Sequence, residues 1–316
     1  MEMVETKAAV MQELNAYKGP TDKIIPNADT PDIKIINDLF GAADAISLQF
    51  GKRYRRQLWI MAFVGTLLAA FFLLYSEINL YGMILLCGAM LLIMQMLARQ
   101  AKKSECHRKY LRYRVLAETL RVQCFLRMSG AKQDAGDLLP WPLRIGIPWL
   151  KDVLDEIPSR RDSKQSVLDV WIRSQHDYHA RALKRTEKKD SRDQMVTLIV
   201  RLVTLIMYLA AVVLELCVFS HLATSDAVGI GRAVLKFLLG TMSAVTLFTG
   251  TYYGRMSLPD VIDDHKRMLA LYEHAENEII ENGEREELLI SLARECLNEN
   301  ASWYAYQSKN EPSLTL

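Results

Sequence analysis

The chain has 316 residues, of which 50% are hydrophobic and 24% charged, with a formal net charge of +2 and a mean hydropathy of +0.03. These bulk figures exclude neither a soluble protein nor a membrane protein with large soluble parts, so the distribution along the chain has to decide. No nucleic-acid partner is expected.

Residues 1–30 hold a short helix-like piece followed by GPTDKIIPNADTP, a Pro- and Asp-rich break. The opening MEMVETKAAV is acidic and mixed, so no cleaved targeting peptide is expected and the first span serves as the insertion signal. From Pro31, the residues Ile33, Ile36, Leu39, Phe40, Ala43, Ile46 and Phe50 recur at helical spacing toward the first apolar run. Leu58–Tyr75 and Ile78–Ala98 carry no charge. Each approaches the roughly 20 residues that cross a hydrocarbon core, and Ser76-Glu77 leaves room for a tight hairpin turn.

After the second run comes HRKYLRYRVLAETLRVQCFLRMSG, a long helix. Its apolar stripe is Leu111, Val115, Leu116, Leu120 and Phe125, and Arg108, Arg112, Arg114 and Arg121 occupy much of the remainder. The Pro-, Gly- and Trp-rich stretch 130–158 ends that helix as a packed connector, and a helix over Val167–Asp190 follows. A third apolar run, Met195–Phe219, contains Arg201 and Glu215. A fourth, Ala233–Gly254, contains Lys236. Arg201 and Lys236 lie near the ends of their runs and can snorkel to the interface. The tail, Asp260–Trp303, is helical with a break at Gly283.

Loop charges orient the chain. Lys52, Arg53, Arg55 and Arg56 precede the first hairpin and Arg99, Lys102, Lys103, Arg108 and Lys109 follow it, with no Lys or Arg in its turn. Lys184, Arg185, Lys188, Lys189 and Arg192 precede the second hairpin, and Arg255, Lys266 and Arg267 follow it, although Arg232 stands in the connecting loop. By the positive-inside rule both termini and the middle segment face the cytoplasm. The five cysteines show no paired metal spacing, and Cys106, Cys124 and Cys296 fall in cytosolic segments, so neither disulfide nor zinc is expected.

A shift of 158 residues lays His107 on His265, Leu111 on Leu269 and Ala117-Glu118 on Ala275-Glu276, and overlays most of the second and fourth spans. This reads as a duplicated helix-hairpin-helix unit. The expected fold is thus an all-α membrane protein of two transmembrane hairpins, or four spans, with a cytosolic helical assembly and an internal duplication. Its parts are an N-terminal segment, 1–30; a first unit, 31–130, with spans at 58–75 and 78–98; a connector, 131–166; and a second unit, 167–316, with spans at 195–219 and 233–254 and a helical tail.

Three ordered stretches, YLRYRVLAETLRVQCFLRMSGA, WIRSQHDYHARALKR and LARECLNENASWYAYQSKNEPSL, carry a resemblance over most of residues 40–316. The chain resembles the membrane region of bacterial proteins with an N-terminal SLOG sensor domain, and looks like the SLATT family of SLOG- and nucleotidyltransferase-associated transmembrane effectors. That resemblance implies a membrane effector of a prokaryotic conflict or antiphage system, forming a pore or disturbing the membrane when a sensor signals. No Gly-rich strand-turn-helix region precedes the spans, so a separate sensor protein or a nucleotide signal read by the cytosolic helices is implied.

Several residues carry two readings. Glu215 lies in the third span, where an ionisable group near the centre costs roughly 2.5–3.5 kcal/mol and tends to face a bundle interior or a wet cavity. It can line a pore, pair with Lys236 across the hairpin, or sit at the interface. Gln95 reads as an interhelical hydrogen-bond partner. The face Arg108, Arg112, Arg114 and Arg121 suits anionic headgroups or a phosphate-bearing ligand, against ion pairing with Glu118, a partner for Arg114 or Arg121 at helical spacing. For Glu276 the only Lys or Arg near in sequence are Lys266, Arg267 and Arg285.

His176 and His179 stand three apart on one helix face with Asp169 two turns before, a metal-like spacing that reads more simply as surface or packing. Trp303, Tyr304 and Tyr306 form an anchoring cluster for the tail. No nucleophile elbow, phosphate-binding loop, dinucleotide fingerprint or zinc-protease helix is present, so neither catalysis nor a cofactor is expected. The leading expectation is a homo-oligomeric effector in the bacterial inner membrane, with the lipid bilayer as partner. The alternative is a non-conducting scaffold or sensor that recruits a cytosolic partner. A small transporter comes third, weakened by the scarcity of polar residues and Pro breaks inside the spans.

Overall fold

Helical periodicity over nearly the whole chain produces helices: α1 Lys7–Ala16, α2 Pro31–Glu77, α3 Met83–Ser104, α4 Cys106–Ser129, α5 Ala135–Leu138, α6 Trp141–Gly146, α7 Trp149–Asp155, a π-helical turn Leu168–Arg173 leading into α8 Ser174–Phe219, then α9 Ser225–Met256, α10 Leu258–Asn282 and α11 Glu286–Lys309. The structure, a computed structural model, describes residues 6–25, 30–77, 80–158, 165–220, 225–256 and 258–309, with backbone alone at 225–228, 247–249 and 251–256. No strand occurs among the described residues. The expected start of the second span at Ile78, part of the Pro- and Asp-rich break, positions 159–164 of the connector and the chain's last residues lie outside them.

Among the described residues three helices are long and apolar enough to cross a membrane: Pro31–Glu77, the Met83–Ser129 run and the Leu168–Phe219 run. That pattern is compatible with a multi-pass membrane protein. The fourth apolar run lies on α9. The first hairpin turn does not sit at Ser76-Glu77. Both residues continue α2, because neither breaks a helix, and the chain turns at Leu80–Gly82, where Met83 N donates to Leu80 O at 2.9 Å.

The chain forms two compact units, each assembled from separated segments: 1–54, 105–184 and 262–316 in one, 55–104 and 185–261 in the other. In the first, α4 is the central element and α11 packs along it. The stripe expected from sequence is the buried one: Leu111, Val115, Leu116, Leu120 and Phe125 are all inside, as are Ile33, Ile36, Leu39, Phe40, Ala43 and Ile46 of α2. The Leu, Ile, Val and Phe side chains among these each stabilise the bundle by about 1.5–3 kcal/mol when fully buried.

The connector contributes its own core through Leu143, Ile147, Trp149, Leu150 and Val153. Phe125 stacks on Trp171 of the π-turn at 5.1 Å. Gly130 takes a left-handed φ of 72° to end α4, and Gly283, at φ 76°, separates α10 from α11 as the sequence leads one to expect. Gly41 is required for closeness instead: a Cβ there would meet Asp22 O at 2.7 Å. That loop is held by Asn37, whose Oδ1 accepts from Ile24 N and Ile25 N and whose Nδ2 donates to Ile25 O at 2.9 Å.

The second unit has a small interior of Met61, Val64 and Met94, with Ile60, Met90 and Leu97 against it. Gln57 Nε2 donates to Ser104 Oγ at 3.2 Å, linking α2 to α3. At Gly240 of α9 an added Cβ would lie 2.6 Å from Leu73 Cδ1, so α9 approaches α2 closely there. Much of the apolar part of α8 faces outward, where Leu198, Ile199, Leu205, Ile206, Leu209, Val213 and Leu216 are exposed, while Val200, Thr204, Met207, Ala211 and Leu214 form a half-buried stripe. Such a surface is stable only in a non-aqueous medium or under a partner.

Of the five cysteines, all with free thiols, Cys87, Cys106, Cys124 and Cys296 are buried and Cys217 is half-buried.

Candidate functional site

The ionisable side chains of the first unit meet on one flank of α4. Positions 114, 118 and 121 succeed one another at spacings of four and three, so their side chains share a face. Glu118 accepts from Arg121 Nη1 at 2.5 Å and pairs with Arg114, and Arg114 Nη1 also donates to Asp44 Oδ1 of α2 at 2.9 Å. Arg121 additionally lies over the Phe40 ring, 5.0 Å from its centre. Arg114 and Arg121 are thus engaged by carboxylates, the ion-pair reading of this face.

Burial alone would push the Glu118 carboxyl up, but the two guanidinium groups hold it below the usual range. Burial likewise opposes the Arg114 cation, yet the carboxylates of Glu118 and Asp44 keep its pKa raised. For Asp44 burial wins over Arg114, and its pKa is raised.

Beside this group, His179 of α8 and His265 of α10 face each other with their Nδ1 atoms 3.0 Å apart. At that distance one ring presents an N–H and the other a lone pair, so the pair holds its contact only while at least one ring is neutral. Burial, and then His265, lower the His179 pKa to about 4. The His179 ring also stacks on Tyr272, whose hydroxyl lies 3.3 Å from Cys296 Sγ. Burial raises the Tyr272 pKa and pushes the Cys296 thiol up to about 12, so both are neutral. On α11, burial and the charges of Glu118 and Asp264 raise Glu299 to about 7. The arrangement gathers opposed charges and a histidine pair in a part-buried setting, where adding or removing one charge is felt by its neighbours.

Of the other residues singled out in the sequence, Arg108 pairs with Glu105 at 3.0 Å, and Arg112 is half-buried on α4. His176 does not join His179. It lies 3.7 Å from Asp177, while Asp169 accepts from Arg173 Nη1 at 2.7 Å. Trp303 packs edge-on to Tyr110, Tyr304 donates its hydroxyl to Gly146 O at 3.2 Å, and Tyr306 is exposed. Among the described residues no group of three or more His, Cys, Asp or Glu could hold a metal ion.

In the second unit Glu215 pairs with Arg232 rather than with Lys236, and Arg232 Nε donates to it at 2.7 Å. Lys236 reaches Glu77 at 3.2 Å. Arg232, expected in a loop from the sequence, lies within α9 and so comes opposite Glu215. Gln95 is exposed on α3, and Arg201 is exposed on α8.

Sequence reasoning missed Asp44, His265, Tyr272, Cys296 and Glu299 as members of the cluster. It also missed Arg173, whose Nε donates to Glu276 Oε1 at 2.6 Å. Their only sequence signal was helical phase, which names the face of a helix but not the helix opposite.

Comparison with known proteins adds no identity: no family model, no curated protein and no solved structure matches this chain.

Proposed function

We propose that the chain is a multi-pass inner-membrane effector with four spans and both termini in the cytoplasm. In this reading the helical bundle receives a signal and the apolar hairpins perturb or perforate the bilayer as a homo-oligomer. The observation that carries it is α8: the most apolar 18 residues of the Leu168–Phe219 run have none buried inside the protein. A long apolar helix with so much of its surface left uncovered can repack against copies of itself, driven by packing and interhelical polar contacts. The bundle's charge network supplies a place where a nucleotide or protein signal shifts a balance of opposed charges. The likeness to SLATT-type effectors points the same way, toward a prokaryotic antiphage or conflict system whose sensor is a separate component.

A second reading, a non-conducting scaffold or sensor, is favoured by one contact: Arg232 neutralises Glu215, the carboxylate best placed to line a pore. Membrane potential separates the two. Bacteria induced to express the chain and challenged with phage are followed with a voltage-sensitive dye, beside Glu215→Ala. Depolarisation in the wild type, altered in the variant, supports the conducting effector. An unchanged potential in cells that are nonetheless protected refutes it in favour of the scaffold.

A further inference from the structure

One buried charge is explained neither by the bundle network nor by the ion pairs of the hairpins. Asp193, just before the apolar part of α8, is 7% exposed, and its Oδ2 has no hydrogen-bond partner. The nearest cation is the exposed Arg192, whose Nε stands 3.6 Å from Oδ1. Asp193 lines a cleft of about 830 Å³ formed by α8 and the start of α10, shared with Asp190, Asp260 and Arg201. The whole cleft belongs to the second unit. Its walls are apolar at Met195, Leu198 and Leu258.

A buried carboxylate with an unfilled lone pair is costly, and a cleft that keeps one is shaped for a cationic donor. The three carboxylates do not converge as metal ligands do, since no such group exists among the described residues. Asp190 already accepts from Gln194 Nε2 at 2.7 Å. An organic ammonium therefore fits better than a metal ion.

Register along α8 sets the rest of the ligand. Residues 190, 193, 197 and 201 come at three- and four-residue steps, so they share one face. Arg201 sits two turns beyond Asp193, about 12 Å further along the axis and into the apolar run. Helical side chains lean back toward the helix N-terminus, and a guanidinium snorkels toward the polar side. Both effects bring the Arg201 charge back toward Asp193, and the two side chains line the same cleft. The cleft thus offers a carboxylate at Asp193, apolar wall at Met195 and Leu198, and a guanidinium at Arg201, with the apolar run of α8 continuing beyond. An amine-bearing phospholipid carries the complementary groups: ammonium, phosphate and acyl chain.

We propose that this cleft is a headgroup site for an aminophospholipid, its ammonium donating to Asp193 and its phosphate held by Arg201. The proposal rests on the reading that α8 crosses the bilayer. The full chain is therefore first reconstituted into lipid discs and checked by flotation, because failure there sinks the spans rather than the site. Retained lipid is then counted by native mass spectrometry after competition among phosphatidylethanolamine, phosphatidylcholine and phosphatidylglycerol. Phosphatidylcholine presents a cation with no N–H to donate.

The expected result is about a tenfold preference for phosphatidylethanolamine over phosphatidylcholine, the size of one charge-assisted hydrogen bond. Asp193→Asn should abolish the preference. Arg201→Gln should weaken retention of both lipids while flotation and circular dichroism stay as in the wild type. Equal retention of all three lipids, or preference for phosphatidylglycerol, overturns the site. Displacement of the retained phosphatidylethanolamine by soluble phosphoethanolamine at the same concentration as by the lipid overturns its assignment to a lipid.

Discussion

Replacing Glu118 with Gln keeps the shape of the side chain and removes the charge on which two cations of α4 depend. Arg121 then loses its carboxylate and retains the Phe40 ring, 5.0 Å away, while Arg114 keeps Asp44 at 2.9 Å. Removing one partner of a fully buried pair costs about 3–5 kcal/mol, because the remaining charge is left uncompensated. Here 22% of the Glu118 side-chain surface reaches solvent and one of its two cations has a second partner. The expected loss is therefore about 2–3 kcal/mol. At roughly 2–4 °C per kcal/mol for a domain of this size, the bundle transition should fall by about 4–12 °C. Thermal unfolding of the full chain in detergent, followed by circular dichroism, measures it. Replacing Arg121 with Met in the Glu118→Gln background should recover part of the loss. A shift under about 1 °C, or no recovery in the double variant, would refute the idea that this network sustains the bundle.

The acid–base groups predict opposite slopes with pH. Glu299 titrates at about 7 in the folded chain, well above an ordinary glutamate, so its contribution is complete at low pH and is lost as pH rises toward 7. Glu299→Gln should therefore gain on the wild type, by an amount of order 1 kcal/mol, when denaturation midpoints are compared at about pH 8 and about pH 5. His179, lowered to about 4, contributes above its ordinary value of 6.5 and loses that contribution as pH falls toward 4. His179→Gln should flatten the acid limb of the stability curve, and an unchanged limb would count against the imidazole pair. Glu284 accepts from Ser166 Oγ, Val167 N and Leu168 N and thereby caps the π-turn. Glu284→Ala should cost about 1–2 kcal/mol and speed amide exchange at Val167 and Leu168. Glu105 has a left-handed φ of 45°. Glu105→Gly should stabilise by up to about 1 kcal/mol and Glu105→Val should destabilise, as read from the same melting curves.

Periodicity carries most of the first unit. The buried stripes of α2 and α4 are legible because a helix that must hide one side repeats its apolar residues every three or four positions. The break at Gly283 is legible because only glycine adopts its φ without strain. Contacts between helices are not legible. Along the chain Glu276 has only Lys266, Arg267 and Arg285 nearby, yet it is met by Arg173, which no spacing rule connects to it. Counting along one helix sets His179 beside His176, whereas its partner is His265 on another. The π-turn over Leu168–Arg173 adds a further cause: its wider turn shifts the phase of the helix beyond it, so faces counted from Val167 at 3.6 residues per turn drift. In the second unit the apolar runs mark the helices but not the charge partners. Within the facing apolar run the one cation is Lys236, but the helix extends back to include Arg232, and it is Arg232 that meets Glu215.

The buried thiols give the bundle a built-in clock. Burial lifts both Cys124 and Cys296 to about 12, and alkylating reagents react with thiolates. In the native chain these two sulfurs are chemically silent at neutral pH. Each becomes reactive only when its stretch of core opens to water. Cys124 lies on α4 and Cys296 on α11, the two helices packed along each other, so a brief pulse of maleimide followed by mass counting would date the separation of that pair. Opening by unzipping from one helix would label the two positions in sequence. Cooperative opening would label both at one rate.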